Sequence, residues 1–217
     1  MSARGEDLLG KSLMILAFVY LAITQVVGLI AKVRATALDP SFALGAIAQA
    51  LSLSFVLLMV VMTVRRSPPT SVATGIEPRL AAIAGTFLLM VLVWLPPGKA
   101  PFGVQVGATL LLLCGTAASI YCLHYLGRSF SIMAAARELV THGPYGVVRH
   151  PLYVAEGFST VAIIILHWSW PAILIGAAQL ALQWRRMQHE ERVLRAAFPV
   201  YADYALRVPM VLPRAMG

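Results

Sequence analysis

Four apolar runs, residues 12–31, 42–64, 79–95 and 103–126, fill most of the first 126 positions. Each is close to the roughly 20 residues that a helix needs to cross a bilayer core. In lipid a backbone must satisfy its own polar groups, so these runs are expected to be helical spans. Charge or proline bounds them: Lys32 and Arg34, then Arg65-Arg66-Ser67-Pro68-Pro69, then Pro96-Pro97-Gly98-Lys99. Only 12% of the residues are charged, against about 25% in a soluble domain. The first run is too long for a signal-peptide core and no small-residue cleavage site follows it, so it reads as a retained span. Cys114 and Cys122 lie eight apart in one apolar stretch, without metal-ligand spacing, and read as packing residues.

Residues 152–184 behave differently. The stretch is apolar but broken by His167-Trp168-Ser169-Trp170-Pro171, which predicts a helical hairpin with tryptophans at an interface. Beyond it Arg185, Arg186, Glu190, Glu191, Arg192 and Arg195 make an amphipathic helix that leaves the membrane. The fold class expected is therefore an all-α integral membrane protein: a multi-span bundle with a C-terminal hairpin and a cytoplasmic pocket. Its parts would be four transmembrane helices over 1–126, then a loop, hairpin and tail helix over 127–217.

The net charge of +8 invites a nucleic-acid reading. The cations sit at the ends of apolar runs, however, and serve topology and anionic headgroups more simply. With six segments, 14 of the 17 basic residues fall on one side. The positive-inside bias places both termini, the 127–151 loop and the tail in the cytoplasm. Membrane lipids are the partners this implies, and nucleic acid is not.

Chemistry concentrates in two places on that side. Residues 142–153 read H-G-P-Y-G-V-V-R-H-P-L-Y, and their glycines and prolines force a turning backbone whose polar groups can hold a ligand. Gln179, Gln183, Arg186 and Glu190 are spaced 4, 3 and 4 and share one helix face. That face either pairs Arg186 with Glu190 internally or presents a cation and an anion to a ligand. Glu191 points about 100° away from it. Glu156, five residues into the hairpin, is either solvated at the interface or aimed inward. The chain carries no G-x-G-x-x-G after a strand, no G-x-x-x-x-G-K-S/T, no H-E-x-x-H and no G-x-S-x-G. His142 and His150 are eight apart across a proline, which is poor metal geometry, so no metal site is expected.

G-P-Y-x-x-V-R-H-P-L-Y, then E-E-x-x-L, then F-x-x-Y-x-x-Y-x-x-R-V-P resembles the isoprenylcysteine carboxyl methyltransferases and their bacterial relatives, a pattern the phospholipid methyltransferases largely share. The resemblance covers about 124–213. It implies an S-adenosylmethionine-dependent methyltransferase of a bacterial inner membrane, acting on a lipophilic small molecule or lipid-modified acceptor. It implies that Arg137, Glu138, Leu139 and Val140 run along the cofactor, mostly through backbone groups. Tyr145 would line it, His150, Pro151, Leu152 and Tyr153 would close the other wall, and Glu190 would hold its ammonium. Arg186 matches the position facing the methyl acceptor. A carboxylate acceptor needs only such a cation, whereas an amine needs a proton acceptor, for which His150 or Glu156 stands near; Arg186 and His150 are thus the candidate catalytic residues. Gly146 departs from the pattern, since many relatives carry a basic or aromatic residue there. Two rival readings are an NADPH-dependent reductase of the sterol-reductase kind, and a non-enzymatic scaffold or transporter. The first wants more basic residues for a 2′-phosphate, and the second wants charge deep in the first four spans, whose centres carry none.

Overall fold

The computed structural model describes residues 3–36, 42–95 and 98–213. Pro96 and Pro97, expected to close the third run, and both chain termini lie outside the described residues. The protein is an all-α membrane protein. Three of its helices are long and apolar enough to cross a bilayer, over Gly10–Ala31, Gly45–Arg65 and Phe102–Ser129. The chain forms two compact units, 1–66 and 67–217.

The first unit is a hairpin of α1 (Ala3–Thr36) and α2 (Phe42–Arg65). Polar side chains join the two helices inside an otherwise apolar pair. Gln25 Nε2 donates to Ser52 Oγ at 3.2 Å, and Gln49 Nε2 donates to the Gln25 carbonyl at 3.1 Å. Such bonds hold membrane helices together where no hydrophobic force separates helix from lipid. Lys11 Nζ caps the end of α2 through the Val64 carbonyl at 2.7 Å.

The second unit comprises α3 (Ile76–Phe87), α4 (Phe102–Leu126), α5 (Pro151–His167), α6 (Trp170–Ala197) and the short α7 (Tyr201–Arg207). A two-residue antiparallel pair, β1 (Ser71–Val72) with β2 (Ala135–Ala136), is the only sheet among the described residues. The run at 79–95 is not one α-helix as expected. It is α-helical to Phe87 and a 3-10 helix over Leu88–Trp94. Gly85 explains the change. Its carbonyl, three residues before the change, accepts from Gln179 Nε2 at 2.5 Å and from Arg186 Nη1 at 3.5 Å. Side chains entering the ladder in this way deform a helix.

The expected hairpin is present. Trp168 closes α5 with a left-handed backbone (φ 44°), and Pro171 sits in the first turn of α6, where it costs no hydrogen bond. The second arm and the amphipathic tail helix are one continuous 28-residue helix. At its start, Trp94, Trp168 and Trp170 are exposed, and His167 Nε2 lies 3.2 Å from the Leu92 carbonyl. From Trp170 to Glu190 is about 30 Å along α6, the thickness of a hydrocarbon core. Glu190 therefore lies about one bilayer thickness from the tryptophan end, with Gln179, Gln183 and Arg186 between. Small residues let the helices close: a Cβ on Gly115 of α4 would meet Ser159 Oγ of α5 at 2.5 Å, and one on Gly176 of α6 would meet Ile164 at 2.1 Å.

Candidate functional site

All the residues singled out above lie in the second unit. The segment entering the site is held by the small sheet. Thr70 N donates to the Ala136 carbonyl and Ala73 N to the Ala134 carbonyl, both at 2.8 Å. Buried Arg137 donates to the Ser67 carbonyl, and Ser67 Oγ donates to Glu138 Oε1 at 2.6 Å. With these side chains engaged, the backbone of 137–140 is what the segment has left to offer, and Leu139 and Val140 are half-buried.

The chain then turns through a 3-10 segment, Gly143–Gly146. Gly143 has φ +60°, and a Cβ there would stand 2.3 Å from the Tyr125 ring. Both strain and collision forbid a side chain. Gly143→Ala is expected to cost about 1–3 kcal/mol, read as a lower unfolding temperature of the purified protein in detergent. Tyr145 follows, buried, with its carbonyl accepting from Tyr204 Oη at 2.5 Å. Its own Oη is buried and has no hydrogen-bond partner among the described residues. Burial pushes the Tyr145 phenol well above its ordinary value, so it remains a neutral donor.

His150 precedes α5, Pro151 is buried in its first turn, Leu152 is half-buried beside it, and Tyr153 points into the hairpin. Opposite stands α6, whose buried stripe runs Ala172, Gly176, Gln179, Gln183, Arg186. The 4-3-4 spacing thus makes an inward face. Tyr153 Oη donates to Glu190 Oε1. Arg186 lies over the Tyr153 ring, 5.2 Å from its centroid, and its Nη2 donates to the Ile132 carbonyl at 3.2 Å. Arg186 makes no ion pair with Glu190, so the internal pairing considered for these two is not formed. Arg186 Nε is buried without a partner among the described residues. Gln183 Nε2 donates to Glu156 Oε2 at 3.0 Å, which places Glu156 inward rather than at a solvated interface. Tyr145, His150, Tyr153, Arg186, Glu190 and Glu156 are thereby gathered within one part of the unit.

Sequence reasoning missed the second cluster. Glu191 Oε1 accepts from Arg149 Nε at 2.8 Å and from Tyr201 Oη at 2.6 Å, and lies 3.0 Å from His150 Nε2. Its Oε2 accepts from Arg149 Nη2 at 3.1 Å and from Arg195 at 3.4 Å. Arg149 also donates through Nη1 to the carbonyls of Ala205 and Val208. The main-chain N–H groups of Arg149 and His150 donate to the carbonyls of Pro209 and Met210. Burial alone would raise the Glu191 carboxyl. The bonds from His150, Arg149 and Tyr201 outweigh burial and hold it at about 2. The signal was two adjacent doublets, Arg149-His150 and Glu190-Glu191, followed by tyrosines three apart.

Residues 104–200 match the sequence model of the phospholipid methyltransferase family. The cobalt-zinc-cadmium resistance protein CzcN of Cupriavidus metallidurans is 38% identical over 77 residues, covering 35% of this chain and 36% of that one. The nickel-cobalt-cadmium resistance protein NccN of Alcaligenes xylosoxydans xylosoxydans is 35% identical over 101 residues, covering 46% and 45%. The chain thus spans less than half the length of the curated relatives it matches. The match over 104–200 takes in most of α4 and the whole of α5 and α6, and the methyltransferase resemblance read from the motifs is borne out there.

Proposed function

We propose that this chain is a multi-pass S-adenosylmethionine-dependent methyltransferase that acts on a lipophilic acceptor at the cytoplasmic face of a bacterial inner membrane, with both termini in the cytoplasm. The observation that carries the reading is the convergence of the 137–153 segment with the Gln183–Arg186–Glu190 face of α6, inside the stretch that matches the family.

The residues present fit the cofactor's chemistry. A zwitterionic amino acid end needs an anion for its ammonium and donors for its carboxylate. Glu190 offers a carboxylate whose side chain is 22% exposed, and Tyr145 offers a buried donor without a partner. Arg137 to Val140 would flank the ligand through main-chain groups, while His150 to Tyr153 would form the opposite wall. The Tyr153 ring gives an aromatic face suited to a cation. When bound, S-adenosylmethionine supplies an electrophilic methyl group on a sulfonium. The chain's task is then alignment and exclusion of water, for which a buried site at a bilayer edge is suited.

Arg186 faces the acceptor in this reading. Its Nε, buried and unpartnered, can donate to a carboxylate, as an isoprenylcysteine-like acceptor would present. Glu156, whose carboxylate accepts from Gln183 Nε2, would take the proton if the acceptor were a lipid amine. A mostly apolar groove between α3 and α6, lined by Ile76, Leu80, Ala81, Ala84 and Leu182 together with the Glu77–Arg185 ion pair, adjoins Gly85, on which Arg186 packs. It offers the acceptor's tail a surface open to lipid.

Titration of folded protein in detergent with S-adenosylhomocysteine is expected to show binding in the micromolar range. Incubation with methyl-labelled cofactor and a bacterial lipid extract is expected to label a lipid-soluble product. Absence of binding at millimolar ligand would overturn the reading.

A further inference from the structure

His150 sits between two consecutive glutamates. Its Nε2 is 3.0 Å from Glu191 Oε1, and its Nδ1 is 3.8 Å from Glu190 Oε2. The groups facing this imidazole are Glu190 and Glu191 from α6, Arg149 from the loop, the edge of Tyr153 from α5 at 5.6 Å between centroids, and Tyr201 from α7 through the shared carboxylate. Glu191 is held ionised by its donors, and an ionised carboxylate can only accept. The 3.0 Å contact therefore requires a proton on Nε2, and in the neutral imidazole this leaves the lone pair on Nδ1. Tyr153 uses Glu190 Oε1, and Glu190 Oε2 has no hydrogen bond among the described residues. At 3.8 Å the two atoms are too far apart to bond to each other. They are two acceptors facing one gap, an arrangement that a donor between them stabilises. A cationic nitrogen with several N–H bonds, about 2.9 Å from each, fits that separation.

We propose that Glu191 takes the Nε2 proton of His150 and so turns the Nδ1 lone pair toward Glu190, making a two-acceptor seat for the ammonium of the cofactor. This rests on the methyltransferase reading above. Glu191 is a positioning residue here: it meets the ligand only through His150, while Arg149 and Tyr201 hold Glu191 in place. His150 is then committed to the cofactor, which leaves Glu156 as the group free to take a proton from an acceptor.

The test compares S-adenosylhomocysteine with its analogue lacking the α-amino group, by calorimetry on wild-type, His150→Phe and Glu191→Gln protein. Loss of folded protein lowers the active fraction for both ligands alike, so the ratio of the two dissociation constants is the readout. Wild type is expected to prefer the amino compound by about tenfold or more. His150→Phe should reduce that preference at least fivefold, and Glu191→Gln at least threefold. In 15N-histidine-labelled wild type, His150 should carry its proton on Nε2, with a lone-pair signal from Nδ1. Glu191→Gln should give a mixture of tautomers. A preference unchanged in both variants, or an Nδ1 proton in wild type, would overturn the seat while leaving the methyltransferase reading intact. Wild type that binds neither ligand would overturn both.

Discussion

Arg186→Ala is expected to lower turnover by about a hundredfold or more, while S-adenosylhomocysteine affinity stays within about threefold of wild type. The converse is expected of Glu190→Gln, which should weaken S-adenosylhomocysteine by roughly tenfold to a hundredfold, the worth of one charge-assisted bond. The contrast follows from placement. Arg186 is gripped by α3 and by the Ile132 carbonyl and lies over Tyr153, with Nε left to donate. Glu190, one turn further along the stripe, meets Tyr153 Oη and His150. Arg186→Lys keeps the charge but cannot span the carbonyls of Gly85 and Ile132 together, so it should recover little of the rate. Initial-rate measurements over both substrates, beside cofactor calorimetry, check the pair of variants. If Arg186→Ala loses cofactor affinity and rate in equal measure, the residue belongs to the cofactor's side and the assignment of the acceptor's side is wrong.

The parts of this arrangement that the sequence displayed are those governed by short-range spacing. The stripe on α6 could be read because glutamines and an arginine at 4, 3 and 4 have no place in an apolar helix unless they share an inward face. The hairpin turn could be read because Trp168 to Pro171 cannot continue a helix but can begin one. The third run misled for the opposite reason. Nothing in residues 79–95 marks a change of helix type; the cause is Gln179 and Arg186, about a hundred positions away, claiming the Gly85 carbonyl. Glu191 misled likewise. A helical wheel turns it off the Glu190 face, yet its partners come from two other elements that the wheel does not show. Arg149 approaches from 42 positions before and Tyr201 from ten positions after. A rule of local periodicity finds the face that looks at a ligand. It does not find the residue that holds the wall in place.

That residue carries the largest stability prediction. Glu191 joins the loop, α6 and α7 through one carboxylate, and Arg149 holds the end of α7 and the segment that follows it, through 209. Glu191→Ala leaves the Arg149 guanidinium, only 10% exposed, without its anion. Breaking a buried pair from one side costs about 3–5 kcal/mol. The lower end applies here, because the site borders exposed Arg195 and the solvent that reaches it screens part of the charge. The unfolding temperature in detergent should fall by roughly 10 °C. Acid gives an independent check on the same group. Its folded carboxyl titrates at about 2, below an ordinary value of 4.5. The unfolded chain therefore takes up the proton first, and the stabilisation is complete above about pH 5 and drains as pH falls toward 2. Wild type should lose stability through that window more steeply than Glu191→Gln, which has no proton to bind there. Equal acid slopes for the two proteins would show that the Arg149–Glu191 pair does not hold the loop to the tail, and that some other contact fixes His150 beside Glu190.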